Sequence, residues 1–289
     1  MTRPVFIASD LHVGISDARD NFFHLSGGRR EDEFHSFLDY VESKDGYLVV
    51  NGDLLECWQN NLGAVLAHRR PLLDRLADMG ARYLIGNHDS EVLYLREHPL
   101  FLAIGKSLTL RIAHQDVLIL HGHEQDPYCC GDRPGIGRIS AIYTGLKEDR
   151  NGSPLQGKYG SATVEARTLG RLGWVTRAIR KLKGEPSPTQ IIRRNMVNLL
   201  DDGRYDAVIF GHTHEPGQFW DARMLQSPRT ISHPSQPKNH CTPLPIYNCG
   251  SWTEQVCSFV RIEPDGHIGV FDWVNGQPVP NVTSLLVEG

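Results

Sequence analysis

Six short apolar runs punctuate the chain: VFIAS (Val5–Ser9), YLVVN (Tyr47–Asn51), RYLI (Arg82–Ile85), VLIL (Val117–Leu120), AVIF (Ala207–Phe210) and PIYN (Pro245–Asn248). They are too short for buried helices, and most are rich in β-branched residues or leucine. Unbroken apolar character over four or five residues predicts strands covered on both faces. Between the early runs the period lengthens. EDEFHSFLDYVES sets Phe34, Phe37, Leu38 and Val41 on one helical face. NLGAVLAHRRPLLDRLADMG does the same with Leu62, Val65, Leu66, Leu72, Leu73 and Leu76, and Pro71 splits or kinks it. Strands alternating with helices predict an α/β layered fold. Near the end, VCSFVRIEPDGHIGVFDWV predicts a hairpin turning at Asp265-Gly266, so the sheet is expected to be mixed.

The strand rhythm stops between Glu124 and Asp202, and residues 124–202 are expected to form a mainly helical insertion or cap within a single domain of residues 1–289. A second irregular stretch, Glu215–Pro243, is rich in Pro, Ser and His and is expected to be a long loop over the core, a candidate for substrate contact.

At 289 residues the chain is long enough to bury a large core. The formal net charge of −4 argues against a general nucleic-acid binder. No apolar run reaches the length of a membrane span, and the N-terminus carries no signal-peptide pattern. The six cysteines form no CxxC pair, which predicts no disulfide framework and fits a cytoplasmic setting. Cys129-Cys130 is read as two loop cysteines without a role, with a soft-metal or redox site as the alternative.

The residues just past each strand carry the chemistry. VFIAS leads into Asp10-Leu11-His12, YLVVN into Gly52-Asp53, and RYLI into Gly86-Asn87-His88-Asp89. VLIL leads into His121-Gly122-His123, and AVIF into Gly211-His212-Thr213-His214. Ligands of open α/β sheets bind outside the carboxyl ends of the strands. Five strands would thus deliver Asp, His and Asn to one sheet edge. Singly each has an ordinary explanation, as a helix cap, a turn residue or a core histidine. Together such groups repel or desolvate one another unless cations hold them. Gly52, Gly86, Gly122 and Gly211 stand beside them where tight turns need a permissive backbone.

These five motifs, in this order, resemble the signature of the calcineurin-like metallophosphoesterases. The resemblance implies a two-sheet mixed β sandwich flanked by helices, an αββα arrangement, with a dinuclear metal centre. By that resemblance Asp10, His12 and His214 bind one ion, Asn87, His121 and His212 bind the other, and Asp53 bridges both. His88 is then placed to donate to the transition state or the leaving oxygen, with Asp89 expected to hydrogen-bond it. His123, where some relatives have Asp, is given a role beside the ligands or at the substrate. Oxygen and imidazole donors without thiolate suit two divalent ions of Mn, Fe, Zn or Co, with Mn favoured. Two ions roughly 3.5–4 Å apart lower the pKa of a shared water towards neutrality, and the resulting hydroxide attacks phosphorus in line.

Two further segments, GDLLECW (Gly52–Trp58) and YNCGSW (Tyr247–Trp252), resemble the bacterial UDP-diacylglucosamine pyrophosphohydrolases, which also carry a helical cap between the fourth and fifth motifs. That family usually has arginine where this chain has His88. Within the insertion, Arg167, Arg171, Arg177, Arg180, Lys181 and Lys183 are opposed by Glu165 along a helical pattern. A basic amphipathic helix over 161–183 fits peripheral contact with an anionic membrane, on its inner face, or with a lipid substrate. A solvated face of a core-packed helix is the alternative. The expectation is a phosphohydrolase acting on a diester or pyrophosphate, including a nucleotide-lipid such as UDP-diacylglucosamine. The alternatives are a soluble nucleotide phosphodiesterase, a phosphomonoesterase or protein phosphatase, and a metal-free binding scaffold.

Overall fold

A computed structural model describes residues 2–17, 20–24, 29–95, 104–126, 188–201, 203–221 and 245–287. Thirteen strands among them form two sheets. The first sheet holds β1 (Val5–Ala8), β2 (Tyr47–Asn51), β3 (Arg82–Leu84), β4 (Ile104–Gly105), β10 (Cys257–Ile262), β11 (Ile268–Val274) and β12 (Gln277–Pro280), in the order β12-β11-β10-β1-β2-β3-β4. The second holds β5 (Ser107–Ile112), β6 (Gln115–Leu120), β7 (Ala207–Phe210), β8 (Gly217–Asp221), β9 (Ile246–Asn248) and β13 (Ser284–Val287), in the order β13-β8-β9-β7-β6-β5. Both sheets are mixed. β1 pairs parallel with β2 and antiparallel with β10, and β7 pairs parallel with β6 and β9 while β8 runs antiparallel to β9.

The period-2 alternation of strand side chains sorts the core into layers. Val5, Ile7, Val49 and Leu84 of the first sheet meet Val117, Ile119, Ala207 and Ile209 of the second in the inter-sheet core. Their neighbours Phe6, Ala8, Leu48, Val50 and Tyr83 point the other way, onto the helices. There α2 (Arg29–Ser43) buries Phe34, Phe37, Leu38 and Val41, and α4 (Arg70–Asp78) buries Leu72, Leu73 and Leu76. The short α1 (Asn21–His24) precedes them, and α3 (Leu62–His68) runs into α4 at Arg69, with Pro71 in the first turn of α4 where its missing amide costs nothing. On the far side, Leu118, Leu120, Val208, Phe210, Phe219 and Ile246 pack against Ile192, Met196, Val197 and Leu200 of α5 (Pro188–Asp201). The result is a helix–sheet–sheet–helix stack, two mixed sheets with flanking helices.

Three findings depart from the sequence reading or refine it. The motif-bearing strands do not share one sheet: β1, β2 and β3 lie in the first, β6 and β7 in the second. The loop expected over Glu215–Pro243 begins with strand β8, because Phe219 is fully buried against α5 and Phe210; residues 222–243 lie outside the described residues. The β5–β6 hairpin has no counterpart in the sequence reading, since its turn is Ala113-His114, both with positive φ, in place of the Asn-Gly or Asp-Gly that favours such a turn. Of the expected insertion over 124–202, residues 127–187 lie outside the described residues, as do Cys129-Cys130 and the basic segment 161–183. Residues 188–201 are α5, packed on the second sheet. No helix among the described residues is long and apolar enough to cross a membrane.

Candidate metal centre

The loop after β1 zips onto the loop after β2. Asp10 N donates to Gly52 O at 3.1 Å, His12 N to Asp53 O at 2.8 Å, and Val13 N to Leu54 O at 2.8 Å. This holds Asp10, His12 and Asp53 side by side, all three in the left-handed region at φ 56°, 49° and 48°. After β7, His212 and His214 share that conformation at φ 63° and 56°. Such backbone costs about 1–3 kcal/mol per residue and persists only where the surroundings over-determine it. Five of the seven expected ligands stand in it. Close approach also explains two glycines. A Cβ on Gly86 would lie 2.1 Å from Asp53 Oδ1, and one on Gly211 would lie 2.0 Å from Ser9 Oγ.

Each aspartate spends one oxygen on the scaffold. Asp10 Oδ2 accepts from Ser9 Oγ at 2.5 Å and His212 N at 3.0 Å. Asp53 Oδ1 accepts from His88 N at 2.8 Å. The other oxygens face imidazoles. Asp10 Oδ1 lies 3.1 Å from His214 Nε2, and Asp53 Oδ2 lies 3.2 Å from His121 Nε2 and 3.7 Å from His12 Nε2. Asp10, His12 and His214 offer donor atoms that all lie within 4.8 Å of one another, and so do Asp53, His121 and His212. Asp53 Oδ2 faces a histidine of each group.

The histidines are oriented from behind. His121 Nδ1 lies 2.9 Å from the Asn51 carbonyl, His12 Nδ1 3.2 Å from Glu56 Oε2, His212 Nε2 3.0 Å from Asp126 Oδ2, and His214 Nδ1 3.4 Å from Glu254 Oε1. In a neutral ring, a hydrogen bond donated from one nitrogen leaves the other as a lone pair, the arrangement of metal-bound imidazoles. The inward atoms Asp10 Oδ1, His12 Nε2 and His121 Nε2 are buried without a hydrogen bond of normal geometry, and the side-chain oxygen of Asn87, Oδ1, is buried without one as well. Unsatisfied buried polar atoms cost about 1–3 kcal/mol each, more if charged, and those of Asp10, His12 and His121 converge. The residues therefore fit divalent cations held by oxygen and imidazole. The electrostatics agree. Burial opposes ionisation of Asp10 and Asp53, but His214 and His121 hold Asp10 far below the carboxylate range, and His121 and His88 do so for Asp53.

His88 sits beside this centre. Its Nδ1 lies 2.8 Å from Glu56 Oε2 and 3.1 Å from Oε1, and its ring stacks on Trp58 at 3.7 Å. Trp58 Nε1 donates to Asn87 O at 2.8 Å. The expected Asp89–His88 hydrogen bond is not formed. The buried Asp89 carboxylate accepts from Gly86 N at 2.7 Å, Leu54 N at 2.8 Å, Leu55 N at 3.3 Å and the Tyr83 hydroxyl, so four donors exhaust it and it organises the loop instead. Glu56 takes the place assigned to Asp89. Its signal in the sequence is its position in GDLLECW, an acid three residues after Asp53; Asp126 and Glu254 carry none. His123 has its ring 5.4 Å from His121, and burial with the His121 charge pushes its pKa down to about 4.

Three solved structures resemble the chain at low identity. An archaeal phosphodiesterase is 13% identical, with a TM-score of 0.42, covering 93% of this chain and 99% of that one. YfcE, a phosphoesterase from E. coli, is 15% identical, with a TM-score of 0.43 and 96% of each chain covered. Vps29 of Entamoeba histolytica, complexed with Zn²⁺, is 15% identical, with a TM-score of 0.40, covering 96% and 97%. No curated protein matches the sequence. A family model described as calcineurin-like phosphoesterase matches residues 3–216, a span that takes in all five motifs and well over half the chain. With its motif loops gathered at one centre between two mixed sheets, the chain belongs to the calcineurin-like phosphoesterase family.

Proposed function

We propose that the chain is a dinuclear metal-dependent phosphohydrolase that cleaves a phosphodiester or pyrophosphate bond. The observation that carries this reading is the pair of donor groups, Asp10/His12/His214 and Asp53/His121/His212, each with its donor atoms within 4.8 Å of one another and, between them, the bare atoms Asp10 Oδ1, His12 Nε2 and His121 Nε2. On this reading the first group holds one ion, His121, His212 and Asn87 hold the other, and Asp53 contributes to both. Bound divalent ions, Mn²⁺ foremost, lower the pKa of water and neutralise charge on phosphoryl oxygens.

The chain's own residues do the rest. Glu56 accepts from His88 Nδ1 and Trp58 backs the ring, so His88 presents its opposite edge, Nε2, in a fixed orientation. That edge is suited to donate to the leaving oxygen or to charge building on the transferred phosphoryl group. The GDLLECW and YNCGSW segments support a nucleotide-lipid pyrophosphate such as UDP-diacylglucosamine as substrate. The basic segment 161–183, part of the cap expected over 124–202, supports peripheral contact with anionic lipid from the cytoplasmic side.

Turnover with Mn²⁺ on p-nitrophenyl phosphate, bis-p-nitrophenyl phosphate, a UDP-lipid and cyclic nucleotides tests this. Preference for the UDP-lipid or the diester is expected. Preference for the monoester would replace the reading with a phosphomonoesterase, and preference for cyclic nucleotides with a soluble nucleotide phosphodiesterase. A protein that turns over none of them and takes up no ion would be the metal-free scaffold.

A further inference from the structure

We infer that the segment from Ser251 to Glu254, which carries no expected ion ligand and lies beyond the family-matched residues 3–216, is a brace that selectively sets the ion affinity of the first donor group, Asp10, His12 and His214. The inference rests on the dinuclear reading and extends it to residues that the five motifs do not contain.

The contacts of the segment fall on the strained turns. Asp10 O accepts from Trp252 N at 3.1 Å and from Ser251 Oγ at 3.1 Å. Glu254 Oε1 faces His214 Nδ1 at 3.4 Å. Asn248, just before the segment, donates from Nδ2 to Gly211 O at 3.0 Å and to Thr213 Oγ1 at 2.7 Å, on either side of His212, so it ties down the turn that carries both His212 and His214 and serves both groups alike. Asp10 and His214 both need left-handed backbone, so these bonds act where the chain would otherwise relax.

The brace has its own anchor. Trp252 is fully buried, with its ring 4.8 Å from Phe34 and 5.0 Å from Phe37 of α2. Arg30, also on α2, donates from Nη2 to Glu254 O at 2.5 Å. Helix α2 thereby holds the segment, and the segment holds Asp10 and His214. The second group is oriented from other places: His121 by the Asn51 carbonyl and His212 by Asp126. Outer contacts of this kind typically change metal affinity about 10–100-fold.

The test is a Mn²⁺ titration of the ion-free full chain, with bound ions counted by native mass spectrometry. His214→Ala and His121→Ala identify which binding step belongs to which group. Ser251→Ala and Glu254→Ala are expected to weaken the step that His214→Ala removes by about tenfold or more, and to leave the step that His121→Ala removes within about twofold. The ion-free Glu254→Ala protein should melt with the unsubstituted chain, since Glu254 is exposed, whereas Ser251→Ala removes a buried hydroxyl and should melt lower, so the selectivity between the two binding steps, and not the melt, is its readout. Unchanged affinity, or equal weakening of both steps, overturns the brace while two bound ions in the unsubstituted chain uphold the dinuclear reading. An unsubstituted chain that takes up no ion sinks that reading, and the brace with it.

Discussion

Glu56 Oε2 lies 2.8 Å from His88 Nδ1, and the same oxygen lies 3.2 Å from His12 Nδ1. One buried carboxylate thus orients an expected ion ligand and the histidine beside it. Burial opposes its ionisation, but His88 and His12 hold its pKa down at about 2.

His88→Asn should lower turnover by about 10²–10⁴-fold, the usual scale for a positioned proton donor, while ion stoichiometry stays the same. Glu56→Gln should lower it less, because the ring keeps its stacking on Trp58. Steady-state kinetics with mass-spectrometric ion counting checks both. A fully active His88→Asn protein would remove His88 from the reaction.

Asp89 behaves as a structural hub. Asp89→Ala would strand the Gly86, Leu54 and Leu55 amides in the interior and take an acceptor from the Tyr83 hydroxyl. The ion-free protein should lose about 3 kcal/mol or more in denaturant unfolding, with Asp89→Asn milder because one acceptor survives. A neutral effect on stability would contradict the assignment.

Ion uptake should release protons. Burial opposes a charge on His121, yet Asp53 and Asp10 overcome this and push its pKa up to about 10 in the ion-free protein. Asp10 likewise drives the partly exposed His214 upward against its burial. Each must shed a proton to offer its lone pair, so affinity should rise with pH until about 10 and level off above it. Calorimetric titration in buffers of different ionisation enthalpy reads the released protons. Heats independent of buffer would show that these rings are already neutral.

Removing divalent ions should destabilise the fold locally and globally. Five left-handed residues and two adjacent buried aspartates are held together at this centre. An ion at a hundred times its dissociation constant stabilises the native state by about 2.7 kcal/mol. Melting temperature should therefore climb with Mn²⁺ and fall on chelation. An unchanged melting temperature would argue that the centre takes up no ion.

Local pattern alone determined a good part of this protein. The apolar runs became β1, β2, β3, β6, β7 and β9, the helical faces of α2, α3 and α4 were read residue by residue, and the Asp265-Gly266 hairpin joins β10 to β11. The residues that meet at the centre were legible because each stands directly after a strand, where side-chain chemistry and chain direction are both visible in a few letters. Tertiary structure decided the rest. Which strands share a sheet depends on pairings such as β1 with β10, more than 240 residues apart, that no local period encodes. The loop expected after Glu215 opens with a strand because Phe219 finds a core to enter. Asp89 and His88 are neighbours in sequence, yet the backbone turns their side chains to different partners, while Glu56 reaches His88 across 32 positions. Strand-end side chains are placed by covalent connection to a strand, so sequence reveals where they gather; the groups that orient them arrive through space from distant segments, so only the folded chain can choose them.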